Sequence, residues 1–328
     1  MSRLILTAVG GDADQDISLE SDFDLTVGPD HVLVSVEAAP VNPGDQLFMQ
    51  GWFGVYPTVP NALGAEGVGR VTQVGAGVDA SLVGRRVVIL PNFVHGTWAD
   101  QVVVPVRYVI PLPERNGQAD RAQLAMLGVN AATAYALLHE FVDLQHGDWI
   151  GVGLANSGVG QNLIALAKRA GIRTLAIVRR EEAAKQVTAL GADQVALSAD
   201  EATEALDGAK LKVLFEGGAP DLGTLSAHVR DGGTIVAYSA VTGQPPVLPL
   251  GDLIYRGITL RAFYILNWVE NTPRETQIRV YGELADLAAE GVIGSEVEAT
   301  YPLEQYREAL AHAAREGRTG KILFLPNN

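Results

Sequence analysis

From residue 31 to residue 41 the chain reads HVLVSVEAAPV, alternating apolar and polar side chains. A period of two buries one face of a β-strand and leaves the other toward solvent. The pattern returns over residues 67–78, 84–90 and 98–105, punctuated by glycine and proline. The first 120 residues therefore predict a β-rich, barrel-like unit.

From about Asp120 the period changes. Residues 121–141, RAQLAMLGVNAATAYALLHEF, hold few breakers and repeat their apolar positions at three and four, which predicts one long helix. The buried strand WIGVGLA (149–155) follows, then a glycine turn and the helix QNLIALAKRAG (161–171). Strand TLAIVRR, helix EEAAKQVTALGA, strand VALSA, a charged helix, strand KVLFEGG, helix DLGTLSAHVR and strand GGTIVAYSA continue the alternation. Such a series calls for a parallel sheet flanked by helices, the Rossmann-type doubly wound α/β architecture. One further helix, over 277–292, and the segment YPLEQYREALAHAAREG precede a short strand, KILFLP (321–326), which suits a return to the first domain. The expected bounds are 1–121 with 293–328 for the first domain and 122–292 for the nucleotide-binding one.

At 328 residues the chain is long enough for two cores. No apolar run approaches the roughly 20 residues that span a bilayer. The first residues, MSRLILTAVGGDADQD, lack the basic region of a signal peptide and are too acidic for a transit peptide, so a cytoplasmic protein is expected. A formal charge of −14 opposes nucleic-acid binding. It gives no help to an acidic carrier protein as partner. With no cysteine in the sequence, disulfides and thiolate zinc sites are excluded, and the histidines are too scattered to suggest another metal cluster. Only His95, beside a turn, is a candidate for facing a cleft.

The turn G-V-G-L-A-N-S-G-V-G (151–160) follows a strand and opens a helix, the setting of a dinucleotide fingerprint. Small residues let the backbone approach a pyrophosphate, and free N–H groups at the helix start attract it. The phosphates are expected at Ser157, Gly158, Val159 and Gly160. About twenty residues on, where an NAD site places a carboxylate, stand Arg179 and Arg180. Their guanidinium groups suit a 2′-phosphate, so the expected cofactor is NADPH.

Five runs in order carry a resemblance: V-N-P-G-D-Q-L-F-M-Q-G (41–51), L-G-A-E-G-V-G-R-V (63–71), A-N-S-G-V-G-Q (155–161), G-G-T-I-V-A-Y-S (232–239) and L-R-A-F-Y-I-L-N-W (260–268). Together they resemble the zinc-independent medium-chain dehydrogenase/reductases, nearest the mitochondrial-type 2-enoyl thioester reductases, with quinone reductases as relatives. The resemblance implies a GroES-like catalytic domain beside the Rossmann domain. It implies reduction by NADPH of the C=C bond of an α,β-unsaturated thioester or carbonyl; the alternative is an NADPH:quinone oxidoreductase. It also implies a small-molecule substrate and a homodimer, paired through the edge at residues 259–266. Zinc-dependent members carry Gly-His-Glu where this chain has Gly64-Ala65-Glu66, so no metal is expected.

By the same resemblance Asn42 lies near the nicotinamide and the substrate carbonyl. Asn130, Asn156, Arg179 and Arg180 contact the cofactor, as do Tyr238, Ser239, Phe263, Tyr264, Ile265 and, more loosely, Lys321. Phe53 and Trp268 line the substrate site. One departure stands out: the family's catalytic tyrosine falls, counting without gaps, on Phe53, which has no proton to give. Tyr56, three residues on, is the candidate acid, with water as the alternative. Asn42 or backbone N–H groups would meet the oxyanion that develops on the carbonyl.

Overall fold

The computed structural model describes residues 1–116, 119–218 and 222–327. It divides into two compact units, Met1–Val129 with Leu266–Asn328, and Asn130–Ile265.

The first unit is built on the strand His31–Val41, whose alternation appears as alternate burial through Val32, Val34 and Val36. It pairs antiparallel with Gly67–Val74, with Gln101–Pro105 and with Lys321–Phe324. Lys321–Phe324 also runs parallel to Val297–Tyr301, so this last strand lies inside a seven-stranded sheet. A three-stranded sheet of Ser2–Leu6, Ile17–Ser21 and Asn61–Ala62 accompanies it. Their shared core holds Leu4, Val34, Phe48, Trp98 and Phe324. Trp98, fully buried, donates its indole N–H to the carbonyl of Pro40 at 3.1 Å, which satisfies the polar end of a core aromatic.

The helix Arg274–Ala289, expected in the nucleotide-binding domain, belongs to this first unit. Its side chains explain why. Tyr281 donates to the carbonyl of Gly128 at 3.1 Å, and Arg274 to that of Arg107 at 3.0 Å. Asp286 accepts from Arg115 Nε at 2.7 Å and from Asn116 at 2.9 Å. Helical periodicity alone carries no address for such partners.

The helix expected over 121–141 is broken. Arg121–Ala125 is α-helical, Leu127–Ala131 is a π-turn and Ala132–Glu140 resumes the α-helix. The backbone N–H of Val129 donates to Glu66 Oε2 at 2.7 Å. A Cβ at Gly128 would come within 2.7 Å of the same oxygen, so glycine is the residue that admits the carboxylate there.

The second unit is a wholly parallel six-stranded sheet in the order Gln194–Ala196, Arg173–Ile177, Trp149–Val152, Leu211–Glu216, Val229–Ala237 and Thr259–Ala262. The chain starts at Trp149–Val152, winds one way, then returns to wind the other. The reversal between Trp149–Val152 and Leu211–Glu216 is the switch point at which doubly wound sheets bind ligands. The helix expected from Asp221 is the short segment Leu222–Leu225, and Asp221 itself lies outside the described residues. Among the described residues no helix is long and apolar enough to cross a membrane.

Candidate functional site

In the second unit, the strand Trp149–Val152 leads through a turn into the helix Gly158–Arg169. Ser157 is the N-cap, its hydroxyl accepting from the N–H of Gly160 at 3.1 Å. A Cβ at Gly160 would lie 2.5 Å from the carbonyl oxygen of Ala155, so the turn closes only around glycine. Gln161 ties the helix back to the carbonyl of Asn156 at 2.8 Å. Beneath the turn, Tyr238 donates to the carbonyl of Gly153 at 2.7 Å and bonds the side chain of Ser157. Burial pushes its phenol pKa well up, which keeps it a donor.

A pocket opens against this turn, lined by Gly153, Leu154, Asn156, Val178, Arg179 and Ser198 among others. Arg179 and Arg180 are exposed. The expected residues Asn156 and Arg179 thus meet in one pocket, with Ser157, Gly158, Val159 and Gly160 forming the adjacent helix start. The small residues and free helix N–H groups fit a dinucleotide's phosphates. Tyr238 braces the turn and Ser239 caps the N–H of Val241 at 3.4 Å. Phe263 packs edge-on to Phe141 at 6.2 Å, Tyr264 is half-buried and Ile265 is buried. Asn130 is buried in the π-turn. Sequence reading missed the far wall, Leu197 to Ala199 and Leu225. Ser198, N-cap of the helix Ala199–Leu206, was the available local signal.

The first unit holds a buried polar cluster around Asn42. That residue is the N-cap of the helix Pro43–Met49, where proline suits the first helical position. Asp45 accepts the backbone N–H of Asn42 at 2.8 Å and that of Ala65 at 3.0 Å. Asn42 Nδ2 donates to Glu66 Oε1 at 2.7 Å, and Lys321 Nζ donates to Asn42 Oδ1 at 2.7 Å. Thr97 donates to the carbonyl of Glu66 at 2.6 Å. Asp45 is 2% exposed, Glu66 0% and Lys321 9%, so water cannot screen these groups. Burial pushes the carboxyls of Asp45 and Glu66 up to about 7 and about 8, and the ammonium of Lys321 down to about 8. Lys321, expected at the cofactor, sits with its ammonium in this cluster. Asp45 and Glu66 were not singled out as site residues; their roles depend on partners distant in sequence.

Phe53 is half-buried and tilts against Phe93. Tyr56 is 70% exposed, its ring over Gly51, and takes no part in the bonds of the Asn42 cluster. Trp268 is buried edge-on to Tyr281 at 6.2 Å. Burial, then the nearby His31 and Arg107, push His95 down to about 4. Among the described residues no three of His, Cys, Asp and Glu gather as a metal site. With Ala65 beside Glu66 and no cysteine in the sequence, the residues present do not fit the zinc site of the metal-dependent relatives.

Residues 28–114 match the alcohol dehydrogenase GroES-like domain, and residues 158–279 match the zinc-binding dehydrogenase domain. The chain is 33% identical to the mitochondrial enoyl-[acyl-carrier-protein] reductase of Caenorhabditis elegans, over 86% of this chain and 82% of that protein. To the Rattus norvegicus protein of the same name it is 31% identical, over 94% and 84%. Among solved structures, a quinone oxidoreductase of Pseudomonas syringae superposes with a TM-score of 0.86 at 25% identity, covering 99% of each chain. The Escherichia coli quinone oxidoreductase complexed with NADPH gives 0.87 at 22% identity, over 99% of this chain and 100% of that one, a likeness of fold.

Proposed function

Because the chain belongs to the medium-chain dehydrogenase/reductase family, with the mitochondrial enoyl-[acyl-carrier-protein] reductases among its relatives, we propose that this oxidoreductase reduces the C=C bond of an α,β-unsaturated thioester or carbonyl with NADPH, without zinc. The carrying observation is identity of about a third to enoyl reductases over most of both chains. NADPH supplies the hydride when bound. The pocket beside Gly153 and Asn156 holds its adenosine end, and the exposed Arg179 and Arg180 grip the 2′-phosphate that NADH lacks. The phosphates rest on the N–H groups that open Gly158–Arg169. Further along the cofactor, Asn130, Tyr238, Ser239, Phe263, Tyr264 and Ile265 support the nicotinamide side.

Hydride addition at the β-carbon leaves negative charge on the carbonyl oxygen. The Asn42 carboxamide donates to that oxygen, and Tyr56 or water delivers the proton to the α-carbon. Phe53 and Trp268 bound the substrate site. The substrate is a small molecule, and the protein acts as a homodimer in the cytoplasm.

The second reading is quinone reduction on the same fold, favoured by Phe53, which has no hydroxyl to protonate the α-carbon of a thioester enolate, whereas the oxygens of a reduced quinone take their protons readily from water. The test follows NADPH oxidation with crotonyl-CoA and with a simple quinone side by side, with and without a metal chelator. Thioester turnover that survives the chelator supports the proposal. Quinone turnover alone moves the protein to the second reading, and chelator-sensitive reduction of aldehydes or ketones would sink both.

A further inference from the structure

Three buried side chains meet end to end in the first unit: Lys321 Nζ on Asn42 Oδ1 at 2.7 Å, and Asn42 Nδ2 on Glu66 Oε1 at 2.7 Å. The two ends differ in charge type, which settles the sense of the carboxamide. Turned over, its NH₂ would face an ammonium, which only donates. Glu66 is itself held, Oε2 accepting from Val129 N–H at 2.7 Å and its carbonyl accepting from Thr97 at 2.6 Å. Lys321 is fixed by its strand, which pairs with His31–Val41 in a register that sets Ile322 opposite Val41. Both anchors are therefore on regular structure or tied to it, and neither is exposed.

We propose that Lys321 and Glu66 are positioning residues for Asn42, holding its carboxamide in one orientation and, through Lys321, strengthening its N–H as a donor to the substrate oxyanion. The proposal rests on the reading of Asn42 as the donor to the substrate carbonyl. An ammonium on the amide oxygen draws electron density from the nitrogen, and in a dry interior such polarisation passes along the chain of bonds. A donor aligned before the reaction needs no reorientation as charge develops. Glu66 sets the angle and Lys321 the strength.

The experiment is a double-mutant cycle on the full chain, with Asn42→Ala, Lys321→Met and the pair, read as NADPH oxidation on whichever acceptor the wild type turns over. Lys321→Met is expected to lower kcat roughly 10- to 100-fold, a loss of the size that supporting and oxyanion-contacting groups carry. KM for the acceptor and the dissociation constant for NADPH, from nicotinamide fluorescence, are expected to stay within about twofold, as a transition-state loss requires. In the Asn42→Ala background the lysine substitution is expected to cost nothing further. Losses that multiply in the pair overturn the clamp while leaving Asn42 as donor. Weakened NADPH binding in Lys321→Met overturns it in favour of a cofactor contact. If Asn42→Ala leaves kcat unchanged, the donor reading falls and the clamp falls with it. Should Lys321→Met fail to fold, Glu66→Gln carries the same cycle. It keeps the side-chain shape, and its effect must likewise vanish beside Asn42→Ala.

Discussion

The ring of Phe53 lies 4.8 Å from that of Phe93, tilted by 57°, and leaves no room for a Cβ at Gly44, which would come within 2.8 Å of it. Phe53, at the family's tyrosine position, has no hydroxyl, so on the proposed reading the proton comes from another group. Tyr56, 70% exposed, is the proposed donor. Tyr56→Phe is expected to lower crotonyl-CoA turnover about 100-fold, the lower end of general acid catalysis. Its thermal unfolding is expected to stay within about 0.5 kcal/mol of wild type, as for other exposed positions. Unchanged turnover would hand protonation to water.

Arg179 and Arg180 are expected to report on the 2′-phosphate alone. Losing a charge-assisted bond of about 1.5–3 kcal/mol predicts that Arg179→Ala weakens NADPH roughly 10- to 100-fold. NADH binding should move by less than about twofold. Fluorescence titration with both cofactors decides it, and parallel losses would place Arg179 elsewhere.

Glu298 predicts an acid-sensitive term in stability. It accepts from His312 Nε2 at 2.9 Å, from Thr319 N–H at 2.8 Å and from Gly320 N–H at 3.1 Å, with Arg315 alongside. These partners, His312 first, hold its carboxyl down to about 2, from an ordinary 4.5. A carboxyl lowered in the folded state stabilises above its unfolded pKa and loses that contribution as pH falls through the folded one. Glu298→Gln should therefore unfold at lower temperature than wild type at pH 7, with the gap closing as pH drops from about 4.5 toward 2. A gap independent of pH would mean that only shape was lost.

The strand Thr259–Ala262 ends its sheet with all four residues exposed, next to the exposed Ile254 and Tyr255. Paired across a two-fold axis, such an edge would be covered. Leu260→Lys is expected to shift the protein in size-exclusion chromatography from a dimer to a single chain of 34.7 kDa. A wild type that elutes as one chain at micromolar concentration removes the dimer.

The glycine turn before Gly158–Arg169 was legible in the sequence because its causes are local: Gly160, Ser157 and the helix they open lie within ten residues. The alternation of residues 31–41 was legible for the same reason. The π-turn at Leu127–Ala131 was not, because Glu66, which draws it open, stands 63 positions away. Nor was the place of Lys321. Its strand reads as an ordinary apolar run, and its partner Asn42 is 279 residues earlier. Charged groups that meet only after the chain folds leave no periodic trace.

Lys321–Phe324 lies between Val297–Tyr301 and His31–Val41 in the sheet, and this dictates an order of events on the ribosome. The unit Asn130–Ile265 is continuous and can complete its core as soon as it emerges. The unit begun by the first residues must wait for a strand made some 280 residues later, with an edge of His31–Val41 unpaired meanwhile. The part of the protein translated first is thus the part finished last, and that interval is when the nascent chain most needs shielding from its neighbours.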